Sequence, residues 1–407
     1  MPKHKTVGLV VAGAAARGAY EAGVLSILIP ELARHGKRPT VLVGSSAGGI
    51  NAFLLAQYSD LEAAEAVQKI VGIWTQIKLS DALNLSFPNA VSTGVVSLAE
   101  FLRIPGFRLK WLFDTAPLRA TVEKLFDAER LHRNIREGRV RALALATTAP
   151  NGRTTIFLEG TAGVLPPPSD EVRAIDYQMT EIAPEHVLAS AAIPLLFPPI
   201  LVENPAAAHG WYRDGLVRLN APIKPALDLG AQQLALVASE PETYPPTTLG
   251  PVEEPDIANA GAQLLHAVLS DHMIEDILTF FTINQLVAQF ADQLGKPRSD
   301  VHIKKKSGRS YQFFDSIFAG PSEPGILGTV AETYYERHYG SGWRFWSPFT
   351  LLGRLLGNNS KSRGELLSWL FFEPAFLQKI INIGQVDAER RLDHAQEHVT
   401  FPFNQRD

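Results

Sequence analysis

At 407 residues, 46% hydrophobic and 20% charged, the chain has material for two or three domains, or for one large α/β domain with a helical addition. A net charge of -4 gives no global electrostatic reason to expect nucleic acid as a partner. There is no cysteine, which excludes disulfides, a thiol nucleophile and cysteine-bound zinc, and no run of 18 or more apolar residues that would suit a transmembrane helix.

Lys3, His4 and Lys5 precede an apolar stretch that superficially resembles a signal peptide. That stretch is short, and Arg17, Tyr20 and Glu21 follow it in a helical pattern, so a cytoplasmic protein is expected. Val7 to Ala12 is apolar on both faces, as in a strand of a parallel sheet. It runs through the small residues Gly13-Ala14-Ala15-Ala16-Arg17-Gly18 into a predicted helix over 19–28. A second strand, Thr40 to Val43, leads to Gly44-Ser45-Ser46-Ala47-Gly48 and a buried helix over 50–56. In this G-x-S-x-G pattern Gly44 and Gly48 let strand and helix approach closely, while Ser46 takes a strained backbone and presents its hydroxyl at a helix N-terminus. Two strand–turn–helix units in the first 55 residues predict an open α/β fold, with a mainly parallel sheet flanked by helices and both turns at the carboxyl ends of the strands. The first turn could also be read as a nucleotide loop. It lacks the second glycine of G-x-G-x-x-G and the Lys-Ser/Thr of a P-loop, whereas a set of backbone N–H groups facing the serine would form an oxyanion hole.

Residues 62–77 read as an amphipathic helix with Ala64, Val67, Ile70, Val71, Ile73 and Trp74 apolar. Leu79 to Phe113 is irregular and aromatic, either local core or a cap supplying walls for an acyl chain. Asp114-Thr115-Ala116-Pro117-Leu118 opens a helix with Leu118, Val122 and Leu125 on one face. Arg141 to Thr147 and Thr154 to Leu158 pair across an Asn151-Gly152 turn. Residues 184–200 give a short helix, with His186 expected at the surface, and then a proline-fixed segment. Asp214 stands before Gly215 at the end of an aromatic strand, and Gln233 to Ser239 completes the expected sheet. Residues 1–240 thus form one expected domain, 241–256 a proline-rich linker, and 257–407 a mainly helical C-terminal extension. Within the extension, Lys304-Lys305-Lys306 reads as a solvated loop, and Trp343 to Leu356 as either packing against the α/β domain or a bilayer-interface element.

No histidine holds an obvious strand-end position after Asp214, and only one strand precedes the serine turn, which disfavours a Ser-His-Asp triad on an α/β-hydrolase fold. The ordered set Gly13 to Gly18, Gly44 to Gly48, Asp114 to Leu118, Ala189-Ser190-Ala191-Ala192-Ile193-Pro194 with Phe197-Pro198-Pro199, and Asp214-Gly215 resembles the patatin-like phospholipases of bacterial type over about residues 6–240. The resemblance implies a patatin-like three-layer fold and a Ser-Asp dyad, with Ser46 as nucleophile and Asp214 as base. It also implies an oxyanion hole along Gly13, Ala14, Ala15, Ala16, Arg17 and Gly18, with Arg17 anchoring the turn, and supporting roles for Gly44, Gly48 and Gly215. The implied activity is hydrolysis of a lipid acyl ester without metal or other cofactor, on a lipid substrate and with peripheral membrane contact. An acyltransferase on the same dyad and a catalytically decayed lipid-binding protein are the alternatives. Ala14 and Ala15 stand where the family usually has glycine, and Leu216 where it prefers Gly or Ala; a positive φ at either alanine would cost about 1 kcal/mol or more.

Overall fold

The computed structural model describes residues 5–83, 113–194, 196–219, 221–242, 257–304, 310–340, 349–350 and 361–397. Most of the 241–256 linker, the aromatic stretch from 84 to 112, Lys305, Lys306 and all but Phe349 and Thr350 of the Trp343–Leu356 segment lie outside the described residues.

β1 (Val7–Val11) and β2 (Val41–Ser45) are buried over their whole length and pair in parallel, with Leu9 opposite Leu42. β3 (Ala142–Thr148) continues the parallel sheet beyond β2, and β8 (Gln233–Val237) flanks β1 on the other side. β4 (Thr154–Gly160) returns antiparallel to β3 through the expected Asn151-Gly152 turn, where Gly152 has φ +77°, and β5 (Ile175–Met179) runs parallel to β4. β7 (Gly210–Asp214) lies antiparallel against the end of β3 and pairs with β6 (Ile200–Val202). The sheet is therefore mainly parallel, as expected. It does not end at β8: β11 (Asp315–Ala319), from the C-terminal region, adds a further parallel strand there. A small ribbon of β9 (Ile303–Lys304) and β10 (Ser310–Tyr311) precedes that strand.

Strand side chains alternate between two cores, which makes the fold three-layered. Leu9, Val11, Leu42, Leu143 and Leu145 face α1 (Gly18–Arg34), α2 (Ser46–Gln57) and α3 (Ala63–Trp74), together with helices of the C-terminal region. Val10, Val41, Val43, Ala142 and Ala144 face α8 (Ile223–Asp228) and the Ile277–Phe280 part of α9 (Ile257–Leu294). In α3 the buried face is Ala63, Ala66, Val67, Ile70 and Trp74; Ala64 is exposed, one position off the face read from the sequence. The connecting helices are α4 (Leu79–Ala82), α5 (Ala116–Leu125), α6 (Ala128–Arg136) and α7 (Pro184–Ser190).

The C-terminal region continues with α10 (Ile326–Tyr339), α11 (Lys361–Leu370) and α12 (Pro374–Glu397). α12 packs along α1, where the buried Tyr20 hydroxyl donates to Asp387 Oδ2 at 3.0 Å. Phe349 is buried against Tyr339 and Phe371, with ring centroids 5.3 and 4.8 Å apart. Among the described residues no helix is long and apolar enough to cross a membrane.

Candidate active site

The serine turn is built by close approach. A methyl group at Gly13 would stand 2.1 Å from Ser45 O and 2.3 Å from Ser46 Cβ, and one at Gly48 would stand 2.3 Å from Val11 O. Only glycine at these positions lets the end of β1 and the start of α2 pack directly on each other. Ser46 is the first residue of α2 and has φ +54°, the left-handed region that non-glycine residues avoid. Its N–H donates to Ser190 Oγ at 3.2 Å, and Ser190 in turn donates to Ala146 O at 2.8 Å, so the elbow is tied through α7 to β3. The Ser46 side chain sits over the positive end of the α2 dipole.

The Gly13–Gly18 turn lies beside it, and its two alanines behave differently. Ala15 takes φ +48°, whereas Ala14 is extended at φ -156°. The Arg17 N–H is engaged by Ala14 O at 2.9 Å, and that of Gly18 by Ala15 O and Ala16 O. The N–H groups of Gly13, Ala14 and Ala15 meet no hydrogen-bond acceptor among the described residues. The Arg17 side chain turns away from Ser46 into the protein. It pairs with Glu240 at 2.7 Å and with Glu365, and it donates through Nε to Ser368 Oγ at 2.7 Å. Burial works against its charge, but Glu365 and Glu240 more than offset this and its pKa is raised. Asn51, on α2, joins the two turns: its amide donates to Gly18 O at 3.0 Å and to Glu21 Oε2 at 3.1 Å, while its oxygen accepts from Trp74 at 2.8 Å.

Asp214 is the last residue of β7 and is fully buried. Oδ1 accepts the Leu216 N–H at 3.0 Å, and Oδ2 completes no hydrogen bond of standard geometry. Burial pushes the carboxyl up to about 7; the Leu216 N–H and the side chain of Ser46 pull the other way. Leu216, fully buried, thus contributes its backbone to the site. Gly215 abuts β3, where a methyl group would stand 2.6 Å from Ala146 O.

Ser46 and Ala15 line a narrow cavity of about 50 Å³. Its walls are apolar: Ile50, Ile73 and Trp74 on one side, Leu118, Val122 and Leu125 of α5 on another, with Leu83, Ile193, Phe197 and Phe372. The α5 face read from the sequence is therefore turned to the cavity.

Histidine is absent from this arrangement. His186 is buried rather than exposed, its Nδ1 accepting the Ala183 N–H at 2.9 Å and its Nε2 donating to Asn204 O at 2.8 Å, and burial lowers its pKa. A short helix followed by a proline-fixed segment, as read for 184–200, gave no sign that α7 is tied to the elbow through Ser190. Among the described residues no group of three His, Asp or Glu side chains could hold a metal ion. The contributions of Asn51, Ser368 and Glu365 carried no local sequence signal; Ser190 lay inside a recognised motif but with no role assigned to it.

A search among curated proteins finds no significant match. Among solved structures, the chain is similar to VipD from Legionella pneumophila at 13% identity and a TM-score of 0.34, the alignment covering 97% of this chain and 67% of that one. A family model described as patatin-like phospholipase matches residues 9–227, more than half of the sequence and all of the turns and strands that carry Ser46 and Asp214. The chain belongs to the patatin-like phospholipase family.

Proposed function

We propose that the protein is a serine lipid acyl hydrolase that cleaves acyl esters of phospholipids or lysophospholipids through an acyl-Ser46 intermediate. The observation that carries this reading is the position of a strained, buried serine against a buried carboxyl of raised pKa, at the wall of an apolar cavity. With a pKa of about 7, Asp214 can hold a proton or release it near neutral pH, the range in which a general base works best. As carboxylate it accepts the hydroxyl proton while Ser46 Oγ attacks the ester carbonyl. The developing oxyanion would be met by N–H groups of Gly13, Ala14 and Ala15 and by the α2 dipole. Asp214 then returns the proton to the departing alcohol. In the second half it takes a proton from the water that attacks the acyl-enzyme and passes it to Ser46 Oγ as the fatty acid leaves, which restores the starting state. The acyl chain lies among the leucine, isoleucine and phenylalanine side chains of the cavity, which supply little beyond apolar contact.

The test is hydrolysis of phosphatidylcholine and lysophosphatidylcholine by the protein and by Ser46→Ala. The expected loss is at least ~10³-fold in kcat for the variant with its circular dichroism unchanged, because the variant lacks the hydroxyl that takes the acyl group. Substantial residual turnover would move the nucleophile elsewhere. An intact protein that hydrolyses neither lipid and resists a fluorophosphonate probe would favour a binding protein.

A further inference from the structure

We propose that α11, in the C-terminal region and beyond the family-matched segment, positions the oxyanion turn of the active site through Arg17. The proposal rests on the reading of Gly13 to Ala15 as oxyanion donors. Arg17 follows those donors directly, and its N–H closes the turn on Ala14 O. Its guanidinium is held at each nitrogen: Nη1 by Glu240, Nη2 by Glu365, and Nε by Ser368 Oγ at 2.7 Å. The Trp369 ring lies 5.5 Å from the guanidinium carbon. Three of these four partners belong to α11. Ser368 is itself fixed, since its hydroxyl also donates to Glu365 O at 2.5 Å. The Arg17 side chain is 1% exposed, so no water replaces a partner that is removed.

The need for such a clamp follows from the turn. Ala15 is held at φ +48°, a conformation that persists only where the surroundings over-determine it. Elsewhere the turn carries only glycine and alanine, so apart from the Asn51 bond to Gly18 O, Arg17 supplies its one polar side chain for the protein to hold. The same segment reaches the substrate side as well. Phe372, two residues past α11, forms part of the cavity wall. Glu365 and Ser368 are therefore positioning residues that act through Arg17, while Phe372 contacts the acyl chain.

The experiment compares Ser368→Ala and Glu365→Gln with Arg363→Gln. Arg363 lies on the same helix, pairs with Glu332 of α10 and stacks on Tyr335, so its loss loosens α11 without touching Arg17. Weakening the clamp should lower kcat on p-nitrophenyl butyrate about tenfold, short of the ~100-fold that follows loss of a whole oxyanion donor. KM and the pH midpoint of the rate should stay as in the parent protein. Arg363→Gln should lower the thermal midpoint and leave kcat alone. Hydrogen exchange at the amides of 13–16 should speed up in the first two variants and not in the third, a readout independent of any catalysis. Parental kcat and exchange in folded Ser368→Ala would overturn the proposal, as would an equal kcat loss in Arg363→Gln; if Glu365→Gln fails to fold, Ser368→Ala decides. A parent protein without Ser46-dependent hydrolysis would overturn the function instead, and exchange would still decide the clamp.

Discussion

The serine elbow and the Gly13–Gly18 turn end neighbouring parallel strands, and each forces one non-glycine residue into the left-handed region, Ser46 at φ +54° and Ala15 at φ +48°. Each such residue costs of order 1–3 kcal/mol, so both turns need support. They obtain it differently. The elbow is supported from within the family-matched segment, by contact with Gly13, by the β1 carbonyl over Gly48, and by Ser190. The Gly13–Gly18 turn takes Asn51 from inside that segment, but its deepest anchor lies some 350 residues away in Glu365 and Ser368. The proposed nucleophile is thus held locally, whereas the side chain that follows the proposed oxyanion donors is held from the far end of the chain.

The largest effect that would break this picture is at Asp214, whose carboxyl is influenced by the side chain of Ser46. Asp214→Asn removes the proposed base and should lower turnover at least ~10³-fold. Its stability effect has the opposite sign. The folded state raises this carboxyl to about 7, so it binds the proton more tightly than the unfolded chain does. Between about pH 4 and pH 7 the unfolded chain releases this proton while the folded state keeps it, so stability falls progressively; above that both are ionised and the cost is complete, with a ceiling of roughly 4 kcal/mol for a shift of about three units. Urea unfolding should show the variant gaining on the parent protein as pH rises from 5 to 8. In the parent protein, turnover of a short-chain ester should climb with pH through about 7 if the carboxylate form acts as the proposed base. A flat profile there would remove Asp214 from that role.

Ser190→Ala sharpens the comparison on the elbow side. It leaves the Ser46 N–H and Ala146 O without their partner in a buried site, which should cost about 1–3 kcal/mol. Released from that tether, Ser46 should lose roughly tenfold in kcat, since small misplacements of reacting groups are expensive. If Ser190→Ala destabilised the protein without changing kcat, the elbow geometry would be set by the glycine contacts alone.

How much of this was legible follows the same division. The parallel strands, the elbow and the cavity-facing α5 were readable because each rests on a local pattern: β-branched apolar runs, G-x-S-x-G, and a capped helix with leucines on one face. β11 was missed because Asp315-Ser316-Ile317-Phe318-Ala319 is short, begins polar and lies between helical patterns; only its pairing with β8 makes it a strand. His186 was misplaced because burial of a neutral imidazole depends on Asn204 O and the Ala183 N–H, both supplied by the fold. Arg17 was expected to anchor the turn, but its partners were not legible, since nothing in a sequence marks two carboxylates and a serine so far apart as sharing one guanidinium.

The smallest expected effect separates the two alanines that stand where glycine is usual. At φ +48° a methyl group is strained by about 1–2 kcal/mol, so Ala15→Gly relieves that strain. Glycine also adds freedom to the unfolded chain worth roughly 0.5–1 kcal/mol, which leaves a net gain of about 0.5–1 kcal/mol. Ala14, extended at φ -156° and fully buried, has no strain to relieve. Ala14→Gly should therefore only lose, through the same unfolded-state freedom and a missing methyl contact, by about 1 kcal/mol or somewhat more. Two single-methyl deletions at adjacent positions should thus shift the urea midpoint in opposite directions. Losses of similar size in both would mean that the turn carries no strain at Ala15, and the clamp on Arg17 would then have nothing to hold against.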